Sequence, residues 1–319
     1  MSPRLRPTLA AAALLAALAA RAAAEPAPVT IAPDAAAHRV AVTVGGRPFT
    51  DYRYEPDLKK PALFPLRTEK GTIVTRGAPV DPQPGEPTDH PHHVGSWLTY
   101  GDVNGLDFWG KKASIRHRKT VRAEGGKEKG ELEIEADWAG ADDKPVLAES
   151  TRFVFRGAPG LRAFDRATTL TAAAQRVLFK DTKEGMFGIR VAKSLQGDGK
   201  PGETGLYRSS EGIIGKDVWS TRAKWMLLSG KVGDESVTIA VFDHPKNPNH
   251  PTYWHARTYG LFAANPLGQK DFDKAKGELG FALEPGKSAT FRYRVLIVTG
   301  DYTPEQADAE LRKFAAEGP

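Results

Sequence analysis

The chain has 319 residues, no cysteine and a formal net charge of +6 at neutral pH. The lack of thiols excludes disulfides and thiolate metal sites. Basic residues are interleaved with acids, as in Lys127-Glu128-Lys129, which argues against a nucleic-acid partner. Gly-x-Ser-x-Gly, Walker and His-Glu-x-x-His motifs do not occur, so nucleotide hydrolysis loses most of its support.

The N-terminus predicts an export signal. Two arginines precede an apolar run from Thr8 to Ala20, and Ala22-Ala23-Ala24 matches a small-residue cleavage site. The run is too short to span a bilayer comfortably; the alternative is an uncleaved membrane anchor. We expect residues 1–24 to be a cleaved signal peptide and residues 25–319 to form a single domain. The mature protein would then be periplasmic or secreted, with no integral membrane segment.

The rest of the chain has the pattern of β-structure. Residues 26–50 predict a separate leading hairpin with its turn at Gly45-Gly46. Further on, apolar and polar residues alternate, or apolar residues run together, in segments typical of strands: Glu131–Trp138, Thr151–Arg156, Val237–Phe242 and Thr290–Val298. Many strands joined by glycine- and proline-rich turns indicate an antiparallel sandwich.

A helix is predicted at the C-terminus and none before it. Thr303 is a suitable N-cap, Pro304 occupies the first helical position and Gln306 follows three residues after the cap. The stripe Ala307, Leu311 and Phe314 would pack on the edge of a sheet. The predicted fold class is therefore all-β, a large antiparallel β-sandwich with a short C-terminal α-helix.

A cluster of histidines is the first chemical signal. Three of the eight histidines, His90, His92 and His93, lie within four positions. Histidine titrates near neutrality and is the commonest metal ligand. Since adjacent strand residues point to opposite faces, we expect one of His92 and His93 to be catalytic and the other structural. The alternative is a histidine-rich surface turn.

The segment that follows offers groups suited to a sugar. Asn104-Gly105 predicts a hairpin turn. Asn104 and Asp107 could hydrogen-bond hydroxyl groups, and Trp109, which precedes a glycine, could stack on the apolar face of a sugar ring. Alternatively, the aromatic residues belong to the apolar core of the protein.

A third segment, Lys183–Arg190, combines charge with apolar residues. Glu184 could be a general acid or base at a strand end. Arg190 lies between Ile189 and Val191, so an inward guanidinium would bind a carboxylate or hydroxyl groups of a substrate. A surface strand with a salt bridge is the alternative.

The second histidine cluster lies between Phe242 and Gly260. Its prolines predict a rigid loop, and rigid loops on a sandwich often carry sites. His244 and Trp254 are predicted to bind substrate, and His255 to act as a catalytic acid or base. The alternative is a structural loop whose histidines bond to backbone groups.

Several of these motifs together resemble a bacterial family of unknown function labelled "methane oxygenase PmoA". The matching segments are Lys60-Pro61, Pro65-Leu66-Arg67, Val74-Thr75-Arg76, Asp89–His93, Gly101–Gly105, Lys183–Arg190 and Trp254–Pro266. The resemblance implies a secreted bacterial protein with a large β-sandwich similar to the galactose mutarotase supersandwich. Methane oxidation is not implied, since the membrane methane monooxygenase subunit of that name spans the membrane several times.

The leading hypothesis is an exported carbohydrate-active enzyme of hydrolase, lyase or epimerase type. Its catalytic residues would be His92, His93, Glu184 and His255, and no cofactor is predicted. One alternative is a non-catalytic glycan-binding module. The other is an enzyme with a divalent metal, whose ligands would come from His90, His92, His244, His250 and His255.

Overall fold

The computed structural model describes residues 25–110, 113–140 and 143–317. The signal peptide predicted for residues 1–24 lies outside this part of the chain. Among the described residues, no helix is both long and apolar enough to cross a membrane.

The strands, in chain order, are β1 (Val29–Asp34), β2 (Arg39–Val44), β3 (Arg47–Arg53), β4 (Ala62–Phe64), β5 (Ser96–Tyr100), β6 (Ser114–Glu124), β7 (Lys129–Ala139), β8 (Pro145–Ala158), β9 (Leu161–Ala172), β10 (Val177–Leu178), β11 (Gly185–Arg190), β12 (Leu206–Ser209), β13 (Trp225–Val232), β14 (Glu235–Asp243), β15 (Tyr253–Arg257), β16 (Leu261–Asn265), β17 (Ala282–Leu283) and β18 (Ser288–Thr299). The α-helices are α1 (Gln269–Phe272) and α2 (Pro304–Ala316).

Two eight-stranded antiparallel sheets form the sandwich. Sheet one has the order β1-β2-β3-β4-β5-β11-β16-β15, and sheet two has the order β12-β13-β14-β18-β9-β8-β7-β6. A shared apolar core joins them; the ring of Phe187 in sheet one stacks on Tyr293 in sheet two at 4.8 Å. The predicted all-β sandwich is confirmed, and the four strands expected from the sequence lie within β7, β8, β14 and β18.

The leading segment and the helices differ in detail from expectation. Strands β1 to β3 are an integral part of sheet one rather than a separate hairpin. The one-turn helix α1 precedes the C-terminal helix. Helix α2 has the predicted capping box, with the Gln306 amide donating to Thr303 Oγ1 and the Thr303 amide donating to Gln306 Oε1. It covers an outer face of sheet two instead of an edge, through Ala307 and Phe314.

The period-two alternation of β5, β11, β16 and β15, the last four strands in the order of sheet one, separates a core face from an outer face. On β15 and β5, Trp254 and Leu98 enter the shared core. Their neighbours His255 and Trp97 therefore lie on the outer face, and this face carries the candidate site.

Candidate functional site

The floor of the site is a row of residues in register across four strands. His255 pairs with Ala263, Ala263 with Gly188, and Gly188 with Trp97. A Cβ on Gly188 would lie 2.7 Å from the Trp97 ring, so only glycine allows this close approach. The small residues leave room for Trp109, which packs on Trp97 and Ala263.

His93 forms a wall of this floor. Its ring stacks on Trp97 with centroids 5.1 Å apart, and the residue is 1% exposed. Burial, reinforced by nearby cations that include Arg190 and Lys60, holds the pKa of His93 well below its ordinary value. The catalytic role predicted for His93 stays a prediction; in this position the ring is neutral and packs on Trp97.

Arg190 is also buried and has a partner within the chain. Its Nη2 donates to both oxygens of Asp89, at 2.9 and 3.1 Å, and its side chain has no exposed surface. The sequence predicted that Arg190 binds a substrate carboxylate. The carboxylate it binds is that of Asp89, so Arg190 positions the histidine loop instead.

Arg76, which the sequence analysis did not single out, holds the same loop from within the protein. Its Nη1 donates to the carbonyl oxygen of Asp89 at 2.7 Å, and its Nη2 donates to that of His90 at 2.9 Å. His90 has a φ of 47°, a left-handed conformation that costs a non-glycine residue roughly 1–3 kcal/mol. The buried guanidinium stabilises this conformation and thereby aims the His90 ring.

Asp89 and His90 form a carboxylate–imidazole dyad. Asp89 Oδ2 contacts His90 Nδ1. Although partial burial raises the pKa of Asp89, the hydrogen bond with His90 and the charges of Arg190 and Arg76 lower it below its ordinary value. A carboxylate on Nδ1 selects the tautomer that leaves Nε2 as a proton acceptor. The His90 side chain is 43% exposed.

His255 and Glu184 form a second acid–base pair. His255 Nδ1 lies 2.8 Å from the carbonyl oxygen of Lys183 and 4.0 Å from Glu184 Oε2. Burial lowers the pKa of His255 to about 3; the hydrogen bond to Lys183 opposes the shift and the charge of Arg257 adds to it. At neutral pH the ring is therefore neutral, with its Nδ1 proton held by the backbone. The charge of His90 also acts on His255, which brings the two pairs within electrostatic reach.

The low pKa of His255 makes stability depend on pH. The unfolded histidine takes up a proton near pH 6.5, whereas the folded one does so near pH 3. Stability is therefore full above about pH 6.5 and falls as the pH drops towards 3. Urea unfolding at pH 7 and pH 5 should show the wild type losing roughly 2 kcal/mol more than His255→Asn. Equal losses in both proteins would contradict the burial of a neutral ring.

Two predicted residues near this floor have structural partners. Asp107 Oδ1 accepts a hydrogen bond from the Gly110 amide at 2.8 Å. Trp109 stacks on His255 at 6.3 Å, and its carbonyl oxygen accepts a hydrogen bond from Lys60 Nζ at 3.0 Å. Burial lowers the pKa of Lys60 to about 7, and Asp107 opposes the shift. Trp109 therefore lies in the site, at its floor.

Three other predicted substrate-binding residues lie elsewhere. Asn104 is in the predicted turn, where its Oδ1 accepts from the Leu178 amide at 2.8 Å. Trp254 is fully buried in the shared core and donates to the Ala223 carbonyl at 3.0 Å. His244 packs edge-on against Phe314 of α2, at sheet two. These three residues do not join the floor described above, and their predicted contact with a substrate stays a prediction.

The five histidines considered as metal ligands are dispersed. His90 and His92 lie on the first loop, with ring centroids 5.8 Å apart, and His255 lies on β15. His250 bonds to the buried Asp243 at 2.7 Å, and His244 is at sheet two. Within residues 25–110, 113–140 and 143–317, no group of three or more histidine, aspartate or glutamate side chains is placed to hold a metal ion.

Trp219 and Arg257 are site residues that the sequence analysis missed. Trp219 follows the 3-10 helix Gly215–Val218, and its ring lies 4.9 Å from that of His255. The Arg257 guanidinium lies 4.0 Å over the Trp219 ring. Period-two alternation from His255 predicts that Arg257 shares its face, and this signal was available in the sequence. Nothing local to Trp219 indicates its position.

Comparison with solved structures gives distant similarities. A putative aldose 1-epimerase from Klebsiella pneumoniae subsp. pneumoniae is 12% identical, with a TM-score of 0.41, over 87% of this chain and 83% of that chain. A GH36 α-galactosidase from Geobacillus stearothermophilus in complex with stachyose is 13% identical, with a TM-score of 0.41, over 79% of this chain and 39% of that chain. The galactosidase domain of an α-galactosidase–sucrose kinase is 10% identical, with a TM-score of 0.40, over 85% of this chain and 42% of that chain.

The chain thus spans about two fifths of the length of the two galactosidases. No activity or residue role follows from similarities at this level. No curated protein matches the sequence. A family model described as "Family of unknown function (DUF6807)" matches residues 39–312, so the chain belongs to this family, whose description does not carry the PmoA label.

Proposed function

We propose that this protein is an exported enzyme that performs acid–base catalysis on a carbohydrate. The observation that carries the proposal is the convergence of two acid–base pairs on one aromatic floor. Glu184 with His255 forms one pair, and Asp89 with His90 forms the other. Acid–base catalysis needs a proton acceptor and a proton donor whose pKa values lie near the working pH.

Glu184 is the proposed general base. Its side chain is about one-third exposed, and its carboxylate is held by Lys183 Nζ at 3.2 Å. The neutral His255 beside it accepts a hydrogen bond from a substrate hydroxyl through Nε2, since Nδ1 is used by the Lys183 carbonyl. Glu184 carries out one proton transfer with the substrate, and His90, oriented by Asp89, carries out the other.

The aromatic residues support a sugar as the substrate. Trp109 forms the floor beside His255, and the partly exposed Trp219 flanks it. Aromatic rings bind the apolar faces of sugars, while carboxylates and imidazoles bind their hydroxyl groups. His92, whose ring contacts that of His93 at 4.4 Å, lines an adjacent cavity of about 450 Å³ and stays a candidate for the second proton transfer.

The test is turnover of a panel of glycosides and oxidised sugars, followed by mass spectrometry for cleavage and by NMR for epimers. The wild type, Glu184→Gln, His255→Asn and a chelator-treated sample run side by side. His244→Asn is the matched control because His244 lies at sheet two. Product that depends on Glu184 and survives chelation supports the proposal. Product that persists in both site variants overturns it, and product lost only on chelation favours a metalloenzyme.

The His90→Asn variant isolates the proposed role of the dyad. Asparagine tolerates the positive φ of this position, so the loop keeps its conformation while the imidazole ring is lost. We expect turnover to fall by about 10²-fold. His38→Asn is the control, since His38 also has a positive φ, of 49°, in an exposed turn remote from the site. Equal turnover in both variants would remove His90 from the mechanism.

A further inference from the structure

Arg257 differs from the other cations of the site because, among the described residues, its guanidinium has neither a carboxylate nor a carbonyl partner. It ends strand β15 two residues after His255, on the same face of the sheet. Its guanidinium lies over the Trp219 ring at 4.0 Å and is partly exposed. In the part of the chain that the structure describes, Arg257 forms no ion pair with an aspartate or glutamate.

The neighbouring cations, by contrast, are all engaged. Arg76 and Arg190 bind Asp89. Lys183 binds Glu184, and Lys60 donates to the Trp109 carbonyl. Arg257 therefore adds a positive charge beside the proposed acid–base pair that no described residue neutralises.

The geometry of the contact with Trp219 suits recognition of an anion. A guanidinium is planar and presents its N–H donors along its edge, in a fork that matches the two oxygens of a carboxylate. An aromatic ring stacked on one face holds the fork in place without using those donors. Arg257 is therefore positioned for a planar anion that approaches along its edge.

We propose that Arg257 binds the carboxylate of a sugar acid and that the substrate is a saccharide containing a uronic acid. This inference rests on the proposed acid–base function and narrows its substrate class. His255 connects Arg257 with Glu184: its Nδ1 lies 4.0 Å from Glu184 Oε2, and its ring lies 4.9 Å from the Trp219 ring, over which the Arg257 guanidinium lies. A sugar carboxylate bound to Arg257 would therefore lie, with its neighbouring carbon, beside the Glu184–His255 pair.

The positions of Glu184 and Arg257 favour proton removal at the carbon that bears the carboxylate. Glu184 removes the proton from the carbon that bears the carboxylate, and the electron pair of the C–H bond delocalises into the carboxylate, where Arg257 stabilises the added charge. When His90 is protonated on both ring nitrogens, its Nε2 can donate a proton to the opposite face of the carbon, which gives the epimer. Alternatively, the bond from the next carbon to its oxygen breaks and that oxygen takes the Nε2 proton, so a carbon–carbon double bond forms and the product is an unsaturated sugar. In both reactions Glu184 loses the proton it took and His90 regains one by exchange with solvent.

The test measures binding and proton exchange with the full chain. The probes are the methyl glycosides of glucuronate and galacturonate, those of glucose and galactose, and glucose 6-phosphate. Binding is measured by calorimetry, and exchange of the carbon-bound hydrogen is followed in D₂O by NMR. We expect a uronide to bind at least about 10-fold more tightly than its neutral counterpart. Arg257→Gln should abolish this preference, and Arg208→Gln, which removes an exposed arginine of β12, should retain it.

The remaining outcomes distinguish failure of the uronide inference from failure of the acid–base function. Four results would overturn the inference. The first two are equal binding of neutral sugars and uronides, and no binding of either uronide. The other two are a uronide preference that survives in Arg257→Gln, and Arg257-dependent binding of glucose 6-phosphate that is tighter than that of the uronides. Arg257-dependent uronide binding without proton exchange or turnover would leave the inference standing and contradict the acid–base function. Turnover of neutral sugars that depends on Glu184, without uronide preference, would support the acid–base function and contradict the uronide inference. Thermal unfolding of both variants identifies any loss of folding.

Discussion

Replacement of Glu184 by glutamine is expected to lower kcat by about 10²–10⁴-fold, the usual contribution of a general base. Glutamine keeps the size of the side chain and its hydrogen bonds but cannot take up a proton. Since the Glu184 side chain is about one-third exposed and its ion pair with Lys183 is at the surface, stability should change by less than about 1 kcal/mol.

The measurement is steady-state turnover of whichever panel substrate the wild type converts, together with urea unfolding. Glu284→Gln serves as the control, since Glu284 is an exposed carboxylate paired with Arg176 away from the site. A Glu184→Gln enzyme with at least half of the wild-type kcat would eliminate Glu184 as the base. His255 would then be the acceptor to test next.

Replacement of Arg166 by methionine is expected to lower the free energy of unfolding by about 3–5 kcal/mol. Arg166 and Glu149 form an ion pair at 3.0 Å with side-chain exposures of 6% and 3%. Without the arginine, the Glu149 carboxylate keeps the donors of Trp138 and Thr151 among the described residues. A buried charge without its counter-charge is unfavourable, because the low-polarity interior cannot replace its hydration.

Urea unfolding of three variants shows whether the loss of stability comes from the broken Arg166–Glu149 ion pair. The double variant Glu149→Gln, Arg166→Met should recover part of the loss, since no unpaired charge remains. Arg118→Met breaks a surface pair with Asp137 at 3.4 Å and should change stability by less than about 1 kcal/mol. A loss for Arg166→Met as small as that for Arg118→Met would contradict a buried ion pair.

Local patterns in the sequence predicted much of the fold. The alternation in Glu131–Trp138 and the apolar run Val237–Phe242 lie in β7 and β14. The Thr303 capping box starts α2. These features depend on residues two to four positions apart, so they can be recognised without knowledge of the rest of the chain.

The site was predicted in part. Glu184, His255 and Trp109 were chosen from the sequence, and the structure brings them together. Trp254 was chosen with His255, yet alternation on β15 sends the two to opposite faces, and the sequence does not say which face is the core. His93 and Arg190 were chosen for polar chemistry and are buried, because their partners make them part of the scaffold.

The sequence by itself determined the sandwich class, the C-terminal helix and the two histidine-rich segments, since periodicity, capping and composition are local properties. Only the tertiary structure decided which histidines lie together at the candidate site. Arg190 and Asp89 are 101 residues apart in the chain and bond at 2.9 Å. Arg257 and Trp219 are also distant in the chain, and the Arg257 guanidinium lies 4.0 Å over the Trp219 ring. Such contacts form because sheet register and loop packing bring distant segments to one face, and no spacing along the chain records them.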